Sequence, residues 1–272
     1  MTEANLRKKR IELRHRMNLQ FDQARQARQT LLITSEGLST PVTEEIAALK
    51  NWLSDFFDEI TIVYVLRRQD LRSIGLYKNN IKNNGATDQN CLLKRRPMHY
   101  YAELRKWVAY FGRANVCPIL FPDSVPEARD LIQDYCDIAG IKGVYDPVEA
   151  DHFKRNTTLD GRAIELLRQL NELSGPKQSS KTEIAKRRRF LERLLTAEFR
   201  SNPQRIQPAR KDVEAFYDRY RAGNEAIRAM FFPDRATLFD EDFSKYPDTA
   251  HYPQPDAEFV LRLCRAIERS PA

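Results

Sequence analysis

The sequence predicts an α/β fold: a three-layer, mostly parallel sheet with a helical C-terminal part. Three observations carry that expectation. Between residues 30 and 140, apolar runs of strand length alternate three times with stretches of helical periodicity, the pattern of units that build parallel sheets. The run Ile60-Thr61-Ile62-Val63-Tyr64-Val65-Leu66 is rich in β-formers, as a strand covered on both faces is, and it stops abruptly at Arg67-Arg68-Gln69-Asp70. After Phe153 the patterning becomes helical. The boundaries that follow are an N-terminal helix over 1–29, an α/β core over 30–150, and a helical C-terminal part of the same domain over 151–272.

Each element has its own signal. Residues 3–29 are rich in Arg, Gln and Lys, with sparse apolar points from Leu6 to Phe21, and predict a helix with a weak buried stripe and a break near Asn18. Thr30–Thr34 predicts a short buried strand ending at Ser35-Glu36-Gly37. Thr43–Phe57 carries Ile46, Leu49, Leu53, Phe56 and Phe57 at helical spacing, with Glu44 and Glu45 in the first turn, where the helix dipole favours acids. Ile60–Leu66 is the central strand, and Leu71–Asn83 the helix after it, ended by Asn84-Gly85. Tyr100–Phe111 places Tyr101, Leu104, Trp107, Val108 and Phe111 on one face, and Gly112 stops it. Asn115–Phe121 predicts a third strand and Ala128–Ala139 a helix closed by Gly140. Thr158–Leu173, Thr182–Phe199 and Lys211–Phe231 are the helices of the C-terminal part.

Composition bounds the function. With 42% hydrophobic residues in 272, the chain can bury a sizeable core, and 31% charged residues give a well-solvated surface. A net charge of +7 favours anionic partners, although 38 acidic residues are interspersed with the 45 basic ones. The four cysteines, Cys91, Cys117, Cys136 and Cys264, lie far apart without CxxC spacing, which argues against a zinc site or a disulfide framework and for reduced thiols. No run of about 18 apolar residues marks a membrane span, and Met1–Met17 is too charged for a secretory signal. A cytoplasmic protein is expected.

A cationic strand end followed by a helix is where α/β proteins hold phosphate groups, because guanidinium donors and unpaired backbone N–H groups converge there. Several residues around it resemble the bacterial sulfotransferase-like family. They are the strand ending at Ser35-Glu36; Val63-Tyr64-Val65-Leu66-Arg67-Arg68-Gln69-Asp70 with Tyr77 ten residues after Arg67; and Tyr101-x2-Leu104-x2-Trp107-x3-Phe111-Gly112 with Asn115 after it. Asp130-Leu131 with Tyr135–Ile141, Arg155-Asn156-Thr157-Thr158 before Ile164–Asn171, and Asn224–Pro233 leading to Leu238-Phe239 complete the order over roughly residues 30–245.

The resemblance implies a P-loop NTPase/sulfotransferase-like fold and transfer of a sulfuryl group from 3′-phosphoadenosine 5′-phosphosulfate to a hydroxyl of a carbohydrate or related acceptor, with no metal. Arg67 matches the family arginine that holds the donor's 3′-phosphate, a task suited to a planar guanidinium. Glu36 matches the place where several glycan sulfotransferases put a catalytic base. The family serine eight residues after the arginine falls here on Gly75. Ser73 lies two residues earlier, turned by about 200° on a helix. The cofactor-binding candidates are thus Arg67, Ser73 and Gly75.

The family's GxxKTGTS-like 5′-phosphosulfate loop has no counterpart here. Residues 1–36 contain no glycine, and Ser35-Glu36-Gly37-Leu38-Ser39-Thr40 has hydroxyls but no lysine. In the family that lysine stabilises charge on the leaving phosphate, so its absence points to a late-called start or to an inactive homologue. Two further readings follow: a non-catalytic glycan- or protein-binding module, and nucleic-acid binding by the basic stretches 3–29 and 182–200. Against the latter, no stacking aromatic set accompanies the basic residues. Lys94-Arg95-Arg96 reads as a solvated loop cluster or an anionic glycan site, Arg187-Arg188-Arg189 as the solvent face of a helix, and His99 as a structural histidine or an acid–base residue on the acceptor side.

Overall fold

The computed structural model of the chain describes residues 3–92, 99–121, 128–141, 159–174, 195 and 204–269. Over these residues the protein is mixed α/β, with eight α-helices and a two-stranded parallel sheet. The elements are α1 (Glu3–Gln26), α2 (Thr43–Ser54), β1 (Ile62–Leu66), α3 (Gln69–Asn84), α4 (Tyr100–Phe111), β2 (Val116–Leu120), α5 (Ala128–Ile138), α6 (Gly161–Ser174), α7 (Arg210–Phe231) and α8 (Ala257–Glu268). The strands pair from Ile62 opposite Val116 to Leu66 opposite Leu120, and Phe121 N–H extends the ladder to the Leu66 carbonyl at 2.6 Å.

Glycines end the helices where the sequence places them. Gly85, Gly112 and Gly140 all take positive φ, at 69°, 81° and 66°, a region a Cβ disfavours. Two expectations are corrected. Thr30–Thr34 is not a strand: it pairs with neither β1 nor β2, and Leu31, Leu32 and Ile33 are exposed. A run of β-formers becomes a strand only where another strand accepts its backbone groups, and none of the described strands does so here. The helix α1 also runs through Asn18 unbroken, because that side chain accepts from Trp52 Nε1 at 2.8 Å instead of competing for its own backbone.

The chain divides into two compact units. The first comprises Met1–Leu66, His99–Val148 and Ala229–Pro233; the second comprises Arg67–Met98, Glu149–Arg228 and Asp234–Ala272. Residues 67–98, from the first half of the sequence, therefore belong with the C-terminal helices.

In the first unit, Phe21 of α1 is buried among Trp52, Phe56 and Phe57, with ring centroids 5.3, 5.4 and 5.4 Å away. Helices α2 and α4 pack together, burying Ile46, Leu53, Leu104 and Trp107, and Lys50 Nζ donates to the Tyr110 carbonyl across that contact. The Tyr64 hydroxyl, on β1, donates to the Ser39 carbonyl at 2.6 Å and so pins the short 3-10 turn Glu36–Ser39.

In the second unit, α3 packs on α6, and Asn171 of α6 donates to the Ile81 and Ala86 carbonyls, satisfying acceptors at the end of α3. Val213, Phe216, Tyr217, Tyr220, Asn224 and Ile227 form the buried stripe of α7 at helical spacing. Helix α8, unforeseen from the sequence, buries Phe259, Leu263 and Ala266, and Asp256 caps it by accepting from Phe259 N–H at 2.7 Å. Lys94-Arg95-Arg96, Arg155-Asn156-Thr157-Thr158, Arg187-Arg188-Arg189 and, apart from Leu195, the helix expected over Thr182–Phe199 lie outside the described residues.

Candidate functional site

The junction from β1 to α3 splits the four residues Arg67-Arg68-Gln69-Asp70 into one half-buried arginine and three buried residues. Arg68 is 4% exposed, and Gln69 and Asp70 are fully buried. The Arg68 guanidinium forks onto Asp70, with Nε to Oδ1 at 2.8 Å and Nη2 to Oδ2 at 3.0 Å. Its Nη1 donates to the Asp240 carbonyl at 2.8 Å, and the group lies 4.9 Å from the centre of the Phe243 ring. The Tyr246 hydroxyl also donates to Asp70 Oδ2, at 2.5 Å. Gln69 and Asn224 exchange amide hydrogen bonds of 2.6 and 3.2 Å. These groups are consumed by one another and tie the start of α3 to the C-terminal segment, so they are framework.

Arg67 differs. It is only half-buried, and its guanidinium lies along the first turns of α3: a Cβ on Gly75 would stand 3.7 Å from Nη1. Where the resemblance expects a serine, the glycine leaves a shallow face on which the arginine rests. Lys78 follows Gly75 by three residues and so occupies the same side of the helix. Its ammonium is pushed below the usual lysine range, first by burial and then by Arg205 and Arg67, with only the Cys91 thiol acting in the opposite sense. Arg67, Lys78 and Arg205 thus act on one another within the second unit.

Ser73 is fully buried, and its hydroxyl donates to the Cys91 carbonyl at 2.8 Å. Cys91 is buried as well, with its thiol 3.2 Å from the Tyr252 hydroxyl; burial pushes that thiol up to about 11. Burial, then the Cys91 charge, raises the Tyr252 phenol too, and Tyr77 rises through burial and then Glu165. Glu165 is itself held by Arg168, at 2.6 and 2.8 Å, in a second buried pair. At the pH of a cell these thiol and phenol groups are neutral.

The candidates therefore separate. Arg67 and Gly75 stand together, Ser73 sits nearby on α3 but spends its proton on the backbone, and Glu36 belongs to the other unit. There Glu36 is exposed and opens the turn Glu36–Ser39. His99, also in the first unit, is exposed at the N-terminal end of α4, where its carbonyl accepts from Glu103 N–H. Two members of the cationic group were missed from the sequence. Lys78 could have been found from its spacing to Gly75, whereas Arg205 has no sequence signal, because the fold alone brings it to α3. Comparison of the chain with known protein families, with characterised proteins and with solved structures gave no match.

Proposed function

We propose that the second unit binds a phosphate-bearing nucleotide at Arg67, and that the protein is sulfotransferase-like: the ligand is 3′-phosphoadenosine 5′-phosphosulfate and the sulfuryl acceptor a carbohydrate hydroxyl. The observation that carries the binding step is the half-buried Arg67 guanidinium lying against Gly75 on α3, on the side of the helix that carries Lys78, whose ammonium is lowered by burial and by Arg205 and Arg67. Arg67 and Lys78 are half-buried and Arg205 is exposed; holding like charges near one another is costly, and a phosphate dianion offsets that cost while using the guanidinium fork for paired hydrogen bonds. Gly75 contributes by its lack of a side chain, which leaves the Arg67 guanidinium against the helix. Under this reading Glu36 is the acceptor's base, and the finer three-layer sheet belongs to the same expectation.

Calorimetry with adenosine 3′,5′-bisphosphate tests the binding step. Wild-type protein is expected to give saturable heat, and Arg67→Ala and Lys78→Ala each to weaken it by about ten-fold or more, the effect of losing a charge-assisted contact. No heat at millimolar nucleotide, with Arg67→Ala indistinguishable from wild type, rejects the reading.

A second reading is favoured by a specific feature. The Ser73 hydroxyl is committed to a carbonyl, and no lysine-bearing glycine-rich loop occurs in residues 1–36. A chain of this kind would hold the nucleotide without transferring the sulfuryl group and serve as a glycan- or protein-binding module. Nucleotide binding without sulfuryl transfer to any of a panel of hydroxyl acceptors, with Glu36→Gln behaving as wild type, selects that alternative.

A further inference from the structure

The first unit contains a groove of about 460 Å³ between α1 and the turn and helix that follow it, within the range of small-molecule sites. Its walls are fixed by hydrogen bonds. Lys106 Nζ donates to the Pro41 carbonyl at 2.7 Å and Tyr64 to the Ser39 carbonyl, holding the Leu38 side. Trp52 donates to Asn18, holding α1. The floor and sides are apolar, from Leu13, Met17, Ile46 and Leu49, with Trp52 and Trp107 among them.

Two polar features stand out. Trp107 is 2% exposed and part of it lines the groove, while its indole N–H is buried with no acceptor among the described residues. On the α1 side stand Arg10 and Arg14, exposed and in no ion pair among the described residues; Arg14 lies 5.3 Å over the Trp52 ring. The one lining acid, Glu45, already accepts from Val42 N–H at 3.0 Å. Apolar walls and two arginines together fit one kind of occupant.

We infer that this groove binds a small apolar carboxylate, its hydrocarbon part among the leucines and tryptophans and its anionic head toward Arg10 and Arg14. The inference stands apart from the nucleotide reading, which concerns the other unit, and survives or fails without it.

The chain's two tryptophans both line the groove, so intrinsic fluorescence reports on it directly. Titration with decanoate is expected to give a saturable change at one equivalent, with 1-decanol binding about ten-fold more weakly for want of the charge. The double variant Arg10→Glu with Arg14→Glu, on the exposed face of α1, should remove that preference while leaving the thermal transition in place. No saturable change at millimolar decanoate, a preference for decanoate that survives the double variant, or a signal that appears only as the thermal transition is lost overturns the inference. So does light scattering showing a dimer that decanoate fails to dissociate, since a second copy would then fill the groove.

Discussion

Replacing Asp70 by alanine removes the acceptor of three hydrogen bonds, two from the Arg68 guanidinium and one from the Tyr246 hydroxyl, at a position with no solvent exposure. The loss is larger than that of a surface pair, because Arg68 is 4% exposed and water cannot replace the carboxylate without opening the segment that carries Asp240 and Phe243. Breaking a buried pair by deleting one member costs about 3–5 kcal/mol, and the Tyr246 bond is part of the same loss, so about 4 kcal/mol is expected. Out of a total stability of about 5–15 kcal/mol, that is a large fraction. Urea unfolding followed by circular dichroism reads it as a lower midpoint at unchanged slope. The cycle with Arg68→Met and Asp70→Leu isolates the pair. The double variant should cost less than the two single changes summed, because no charge is stranded, although the Arg68 bond to the Asp240 carbonyl goes with it. A loss below about 1 kcal/mol for Asp70→Ala, or additive single and double variants, refutes the reasoning.

Gly161→Ala should lower the melting temperature, since its Cβ would meet the Gln204 carbonyl and Pro253 Cγ, both at 2.9 Å, and one of these is backbone that cannot swing away. Gly75→Ala should instead raise it, stabilising the protein by about 0.5–1 kcal/mol through helix propensity and having only the Arg67 guanidinium at 3.7 Å to meet; a loss at Gly75 equal to that at Gly161 contradicts both. Stability should fall between pH 9 and 11. The Cys91 thiol is raised from its ordinary value of 9.0 to about 11, so its contribution is complete below the unfolded value and vanishes as pH climbs through the folded one, amounting to at most about 3 kcal/mol. Cys91→Ala should flatten that part of the profile and leave the steeper fall above it, where the raised phenols Tyr77, Tyr246 and Tyr252 ionise. Under native conditions a thiol reagent should label Cys264, which is exposed, and spare Cys91 until the protein unfolds; mass spectrometry finding Cys91 modified first would show that its surroundings open readily.

What could be read along the chain was what depends on near neighbours. The boundaries of α4 and, within a residue, α7 follow from apolar spacing, α2 starts where expected at Thr43 but ends at Ser54, short of Phe57, and three helix stops follow from glycines that accept positive φ. The strand β1 followed from a run of β-formers, but the same kind of run at Thr30–Thr34 did not become a strand, because pairing is decided by a distant partner and not by the run itself. Helix α8 has its signal in the cap Asp256 and in the spacing of Phe259, Leu263 and Ala266.

The site divides along the same line. The sequence determined that a cationic strand end would lead into a helix, and it pointed to Arg67 and Gly75. It could not determine which arginine faces the solvent side of that junction. Arg68, its neighbour, is withdrawn by Asp70, by Tyr246 acting on Asp70, and by the Asp240 carbonyl, the last two from far along the chain. Nor could it add Arg205 to Lys78, or show that Trp107 lines a groove with an unmet N–H. Whether a polar group is framework or free for a ligand depends on what the fold brings within hydrogen-bond range, and that range is a few ångströms in space with no limit in sequence.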